Sequence, residues 1–226
     1  MKMNLQTYSI TAEGRFAALL GVGQQDSHVY DRALLETENW VAAPTLGAIV
    51  PNWLIVVPRH AALNFKIWQR VTGLDPATIV ARIAEHLGLR FDQLIWFEHG
   101  PRDTGTSVGC GVDYAHLHIL FDPSFTFDAL LDQVQASAQL VWRSSKPDLA
   151  YSELSGQNSY LIVGCGNRVF YAEHVETTGS QFLRRMVAAT AGLDADWDYR
   201  CHPHHENIAL TAAVFKRRAC PASSDG

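Results

Sequence analysis

The stretch GCGVDYAHLHIL, Gly109 to Leu120, decides how this sequence is read. Its second half alternates polar rings with small or apolar side chains, the period of a β-strand. On a strand, Tyr114, His116, His118 and Leu120 share one face, while Ala115, Leu117 and Ile119 share the other. The second face is apolar and compact enough to pack on a helix. The first presents a phenol and two imidazoles side by side. A single histidine in a core strand is ordinarily structural, but two on one face beside a glycine-rich loop ask for another reason. Gly105, Gly109 and Gly111 let backbone N–H groups approach a ligand with no Cβ in the way, as a bound phosphate requires. Ser107 and Cys110 add side-chain contacts to that loop. The expectation is a phosphate cradle with an imidazole aimed into it.

Imidazole is a competent nucleophile toward phosphorus when its other nitrogen donates a hydrogen bond that fixes the tautomer. The reaction this suggests is attack by His116 on an α-phosphate, giving a covalent phosphoramidate that water or another acceptor cleaves.

Outward from this stretch, strands and helices alternate irregularly. NWLIVVP (Asn52–Pro58) is a short apolar run closed by proline, a strand buried on both faces. The preceding segment, His28–Pro44, holds one or two strands, and Met1–Asp26 reads as a helical lead-in ended by Gly21 and Gly23. DPATIVARIAEHL (Asp75–Leu87) is the best helix, with Asp75 as N-cap, Pro76 in the first turn and Ile79, Ile83 and Leu87 on one side. QLIWFEH (Gln93–His99) and DYAHLHILF (Asp113–Phe121) are two further strands. A short helix is expected at Phe127–Ala138, followed by polar connection to Ser155. SYLIVGCGNRVFYAEHV (Ser159–Val175) reads as a hairpin around its Gly-Cys-Gly-Asn turn. SQFLRRMVAATAG (Ser180–Gly192) reads as a helix capped by Ser180, and ENIALTAAVF (Glu206–Phe215) as a final strand. This grammar predicts an α+β fold with a mostly antiparallel sheet.

The 226 residues are 47% hydrophobic and 18% charged, enough for one generous domain or two small ones sharing a core. A formal charge of −5 argues against a dedicated nucleic-acid surface. No run approaches the ~18 apolar residues of a membrane helix, and nothing near Met1 resembles a signal peptide. Four scattered cysteines, Cys110, Cys165, Cys201 and Cys220, do not form a disulfide framework, so a cytoplasmic setting with reduced thiols is expected.

DYAHLHIL resembles the histidine-triad motif, His-φ-His-φ-His-φ-φ with φ apolar, and the resemblance extends upstream. Leu34–His60 is similar to that superfamily's two early strands, ending here in Pro58-Arg59-His60. FEHG (Phe97–Gly100) with CGVDYAHLH is similar to a bacterial branch in which Cys-Gly-x-Asp precedes the triad. Gly109, Cys110 and His116 also match the spacing of the related galactose-1-phosphate uridylyltransferase motif. The likeness covers about Val29 to Pro123. It implies a histidine-triad-like antiparallel sheet flanked by helices over residues 1–125. A smaller α+β half, residues 126–226, would pack on the same core, similar to the extensions of dinucleoside polyphosphate hydrolases and phosphorylases.

The resemblance further implies a nucleotide hydrolase or nucleotidyltransferase. His116 would be the nucleophile and His118 would bond the transferred phosphate, while Tyr114 stands where the first triad histidine assists the leaving group. An unperturbed phenol, with a pKa of about 10, is a poor proton donor near neutral pH. Ser107, Gly109, Cys110 and Gly111 would hold phosphate, and His60 and His99 are placed by the same likeness. Asn52 and Trp53 replace a usual Gly-His, Trp53 reading as core, and no acid lies between Glu38 and Trp53 to grip a ribose. The substrate would be a nucleotide or dinucleoside polyphosphate and the protein a homodimer. No cofactor or metal is required, since the nucleophile is the protein's own imidazole. CHPHH (Cys201–His205) crowds its ligand types into five residues around Pro203, unlike the separated pairs of a zinc site. Arg184 and Arg185 either extend the pocket toward distal phosphates or pair with Asp198 or Glu206 at the surface. The rival reading of the whole is a non-catalytic nucleotide-binding module with a degenerate triad.

Overall fold

The computed structural model describes residues 10–22, 28–106, 108 and 112–219. Among the described residues, eight strands form one antiparallel sheet: β1 (Leu35–Glu36), β2 (Trp40–Pro44), β3 (Trp53–Pro58), β4 (Leu94–Gly100), β5 (Leu117–Phe121), β6 (Arg143–Ser145), β7 (Tyr160–Cys165) and β8 (Arg168–Glu173), in the spatial order β1-β2-β3-β5-β4-β7-β8-β6. The α+β class and antiparallel sheet expected from the sequence are observed. The pairing of β4 with β7, six residue pairs from Ile95↔Cys165 to Gly100↔Tyr160, makes the sheet continuous between the two halves of the chain.

Seven α-helices among the described residues flank it: α1 (Gly14–Leu19), α2 (Phe65–Thr72), α3 (Pro76–His86), α4 (Phe127–Ser137), α5 (Pro147–Glu153), α6 (Phe182–Thr190) and α7 (His205–Ala219). One sheet face packs on α2, α3 and α5, where Ala115, Leu117 and Ile119 meet Phe65, Trp68, Ile79, Val80 and Ile83. The other packs on α4 and α6 through Trp53, Phe97, Leu120, Leu130, Val134, Leu183 and Val187. A third cluster joins α1 to the β2–β3 end of that second face, with Phe16 and Leu19 against Val41, Ala43, Ile55 and Val57. Burial of each Val, Leu, Ile or Phe side chain among these contributes about 1.5–3 kcal/mol. No helix among the described residues is long and apolar enough to cross a membrane.

Local chemistry explains most elements. Asp75 caps α3 by accepting from Ala77 N at 2.9 Å, with Pro76 in the first turn. Gly166, at φ +56°, turns the β7–β8 hairpin, where a side chain would be strained.

Three expectations are corrected, and one helix is added. Glu206–Phe215 is not a strand but lies within α7. Its buried Ile208, Thr211, Ala212 and Phe215 fall at i, i+3, i+4 and i+7, a helical stripe. The helix is held by Asn207 Nδ2 donating to Ala48 O and Ile49 O and by Asn52 N donating to Thr211 Oγ1. Ser180 does not cap α6, because the cap residue is Gln181 in the left-handed region at φ +55° with no side-chain cap bond. The polar connection after α4 contains β6 and α5. Finally, Phe65–Thr72 forms α2, whose N-cap Asn64 accepts from Ile67 N at 2.9 Å, a helix that the sequence pattern did not single out.

Candidate functional site

Three imidazoles stand on the sheet face between α1 and α6. His118 on β5 pairs with Ile55 on β3 and Phe97 on β4. The β4–β5 ladder ends there, and continuing its register by two residues sets His99 opposite His116. The strand expected from Asp113 begins only at Leu117, because Ala115 N donates to Ala62 O at 2.8 Å and the chain leaves the ladder. The side chains nevertheless alternate as read, and Tyr114, His116 and His118 line one cavity of about 710 Å³.

Hydrogen bonding fixes each ring's tautomer. His116 Nδ1 lies 2.8 Å from Tyr114 O, a carbonyl that can only accept, so Nδ1 carries the proton and Nε2 keeps its lone pair. His118 Nδ1 accepts from Trp53 Nε1 at 3.2 Å, since an indole only donates, which leaves the proton on Nε2. That Nε2–H is buried with no partner among the described residues. His99 Nε2 accepts from Leu183 N at 3.1 Å, leaving a buried Nδ1–H likewise without a partner there.

The bond from Leu183 explains the missing cap of α6. An imidazole from β4, rather than Ser180, satisfies an N–H in the first turn of that helix. It also brings the next residue, Arg184, to the cavity.

Burial keeps the rings neutral. It pushes His99 down to about 3, with His116 and the arginines adding to the shift. It lowers His118 well below its ordinary value, with His116 and Arg184 next in effect. It lowers His116 as well, against a raising contribution from the bond to Tyr114 O. His116 and His118 meet edge to face, 5.2 Å between centroids.

Tyr114 is 3% exposed, and its hydroxyl donates to Pro58 O at 3.0 Å. Desolvation raises the phenol above its ordinary value. Its ring and that of His116 both pack on Phe16 of α1, at 6.0 and 5.5 Å.

Two guanidiniums reach the same cavity from opposite ends of the chain. Arg15, on α1, bonds through Nε to Asp31 Oδ1 and Tyr30 O, both at 3.2 Å, and through Nη2 to Tyr30 O and Pro44 O. Burial, offset by Asp31, lowers it to about 10, so it stays charged at neutral pH. Arg184 is 2% exposed, donates through Nη2 to Gly47 O, and lies over the Trp53 ring at 4.9 Å. Gly47 has φ +66°, and a Cβ there would come within 2.4 Å of Tyr199 Cβ and 2.9 Å of Arg184 Nη2, so this wall of the cavity demands glycine.

The structure thus brings together Tyr114, His116 and His118, with His99 beside them. His60 is exposed in the turn after β3 and lies outside the cavity lining. Ser107, Gly109, Cys110 and Gly111 lie outside the described residues. Of the helix α6 pair, Arg184 enters the cavity, while Arg185 donates to Thr178 O. The sequence reading missed Arg15 and the role of Trp53, which is core but also orients His118. Among the described residues no group of three His, Cys, Asp or Glu side chains is placed to hold a metal.

Chemically, the cavity offers one imidazole lone pair, an imidazole N–H with no partner among the described residues, two guanidiniums and the carboxylates of Glu13 and Asp113. No protein-family model matches the chain, and a search of curated proteins finds no match.

Proposed function

We propose that this protein is a nucleotide hydrolase or nucleotidyltransferase that works through a covalent nucleotidyl-His116 intermediate. The observation that carries the reading is the His116 ring. Its Nδ1–H is held by Tyr114 O, and its Nε2 makes no hydrogen bond to a described residue in a cavity that also holds Arg15 and Arg184. The Nε2 lone pair attacks the α-phosphorus, and Nδ1–H on the carbonyl stabilises the positive charge that the ring acquires. The buried His118 Nε2–H supplies a donor for a phosphoryl oxygen as charge develops there, a preorganised interaction worth more in a water-poor site than in bulk. Water or another acceptor then cleaves the N–P bond and returns the lone pair to Nε2. The depressed pKa of His116 keeps the nucleophile unprotonated at neutral pH. The histidine-triad resemblance of DYAHLHIL agrees with these roles, and the expected homodimer belongs to the same proposal.

One observation favours the rival, a nucleotide-binding module without turnover. The Tyr114 proton is directed to Pro58 O rather than toward a leaving group. The experiment that separates them is intact mass after an acid-free quench, with product release followed in the same tubes, on diadenosine polyphosphate, adenosine phosphoramidate and a nucleotide sugar. A nucleotidyl adduct or product that vanishes in His116→Ala is expected. Binding with neither adduct nor product establishes the module.

A further inference from the structure

The transfer reaction sets a problem at its leaving group. When His116 Nε2 bonds to phosphorus, the opposite bond breaks and its electron pair goes to the departing atom. An amine or alkoxide leaving in this way needs a proton, whereas a phosphate leaving from an anhydride needs only its new charge stabilised. Tyr114 stands two residues before the nucleophile, but its one proton is directed to Pro58 O and its ring packs on Phe16. The cavity instead holds two fixed guanidiniums, alongside the carboxylates of Glu13 and Asp113 on its lining. Arg15 and Arg184 both line it, and each is close enough to affect His116 and His118 electrostatically. Arg15 is anchored through Nε and Nη2, and its Nη1 makes no hydrogen bond to a described residue. Arg184 is anchored on Gly47 O and the Trp53 face. Both are held before any ligand arrives, so little ordering is left for the reaction itself.

We propose that Arg15 and Arg184 clamp the anionic phosphoryl group that departs when His116 is nucleotidylated, so that cleavage of phosphoanhydrides depends on both guanidiniums while cleavage of an ester with a delocalised leaving group does not. The proposal rests on His116 being the nucleophile. In the balanced step the Nε2–P bond forms, the bridging P–O bond breaks, and the pair becomes a terminal phosphate oxygen between the guanidiniums. The Nδ1 proton does not move. In the second step water attacks phosphorus, the N–P pair returns to Nε2, and the water's proton passes to solvent. Arg15 belongs to neither the strand motif nor the glycine loop, so the N-terminal segment would contribute to specificity and not merely cover the sheet.

The test compares two donors with the same nucleoside. Diadenosine triphosphate leaves as a nucleoside diphosphate, a concentrated anion, whereas the p-nitrophenyl ester of AMP leaves as a delocalised phenolate that needs no clamp; uridine counterparts cover the other base class. In Arg15→Gln and Arg184→Gln, kcat/KM for the anhydride is expected to fall about 10²-fold, the scale of removing one preorganised charge donor. The ester is expected to fall only a few-fold, and Arg15→Lys should recover part of the anhydride rate. Thermal melts run alongside show whether loss of the Tyr30 and Pro44 contacts unfolds α1. A parallel fall on both donors would make the arginines structural and overturn the clamp. So would cleavage of the ester but not the anhydride by the unaltered protein, with His116 still the nucleophile. If the unaltered protein cleaves neither donor, the transfer reaction itself is wrong and the clamp falls with it.

Discussion

Glu98 and His99 are neighbours on β4 that face opposite sides of the sheet, and burial shifts both toward their neutral forms. Glu98 is fully buried, and desolvation raises its carboxyl to about 7, against the lowering effect of its hydrogen bonds. His99 is 4% exposed and is pushed down to about 3. They differ in what their polar atoms find. The two Glu98 oxygens accept from Phe65 N and Tyr160 OH, both at 2.7 Å, so the carboxyl ties α2 to β7. His99 and its neighbour His118 each keep a buried N–H with no partner among the described residues. Burial and a displaced pKa are therefore common to both faces. Buried donors with no partner among the described residues also occur on the Glu98 face, at Trp68 Nε1 and Trp96 Nε1. What distinguishes the imidazole face is that His116 and His118 border a cavity of about 710 Å³.

The largest expected effect lies on the imidazole face. His116→Ala should reduce turnover at least about 10³-fold, read as product release and adduct mass, while leaving the melting temperature close to that of the parent protein. Retained turnover would move the nucleophile elsewhere.

The comparison also has opposite signatures in pH. The folded His99 binds a proton only near pH 3 instead of its ordinary 6.5, so the folded state holds fewer protons than the unfolded chain between those values. Stability therefore falls as pH drops from about 6.5 toward 3, by on the order of 5 kcal/mol for this ring. His116 and His118 act in the same direction. His99→Gln, which retains an acceptor for Leu183 N, should make this acid limb shallower by about 1.4 kcal/mol per pH unit, as measured by urea unfolding at several pH values. An unchanged limb would mean that His99 is not held neutral.

Glu98 has the reverse sign. Its folded pKa of about 7 lies above the ordinary 4.5, so the folded state holds the extra proton and stability falls as pH rises through that window. The expected loss is about 3 kcal/mol. Glu98→Gln should remove this decline and expose the acid limb more steeply between the two values, because the opposing slope is gone. If the decline persists in the variant, it arises elsewhere.

The smallest effect is a control remote from both groups. Asp75→Ala removes the cap of α3 and should cost about 1 kcal/mol, seen as a lowered melting temperature with turnover unchanged.

What could be read in advance follows the range of the forces involved. The α3 boundaries, the β7–β8 hairpin and the faces of the Tyr114–Leu120 segment depend on contacts a few residues apart, and local pattern shows them. Glu206–Phe215 was misread because its apolar residues suit either period in a short window. Its helix is decided by Asn52, Ala48 and Ile49, far earlier in the chain. The cap of α6 was misplaced for a related reason. Ser180 has the right chemistry, but the acceptor that reaches Leu183 N comes from β4. Arg15 carried no signal in its own surroundings, and Trp53 read as core because its indole N–H has no visible partner until His118 is folded against it.

By itself, then, the chain determined that an antiparallel α+β sheet would form and that Tyr114, His116 and His118 would point to one side, because side chains alternate sides and these are spaced two residues apart. Only the tertiary structure decided which nitrogen of each imidazole carries its proton and which arginines enter the cavity. Those choices depend on single acceptors and donors supplied by distant strands and helices, and a hydrogen bond of about 3 Å has no counterpart in sequence spacing.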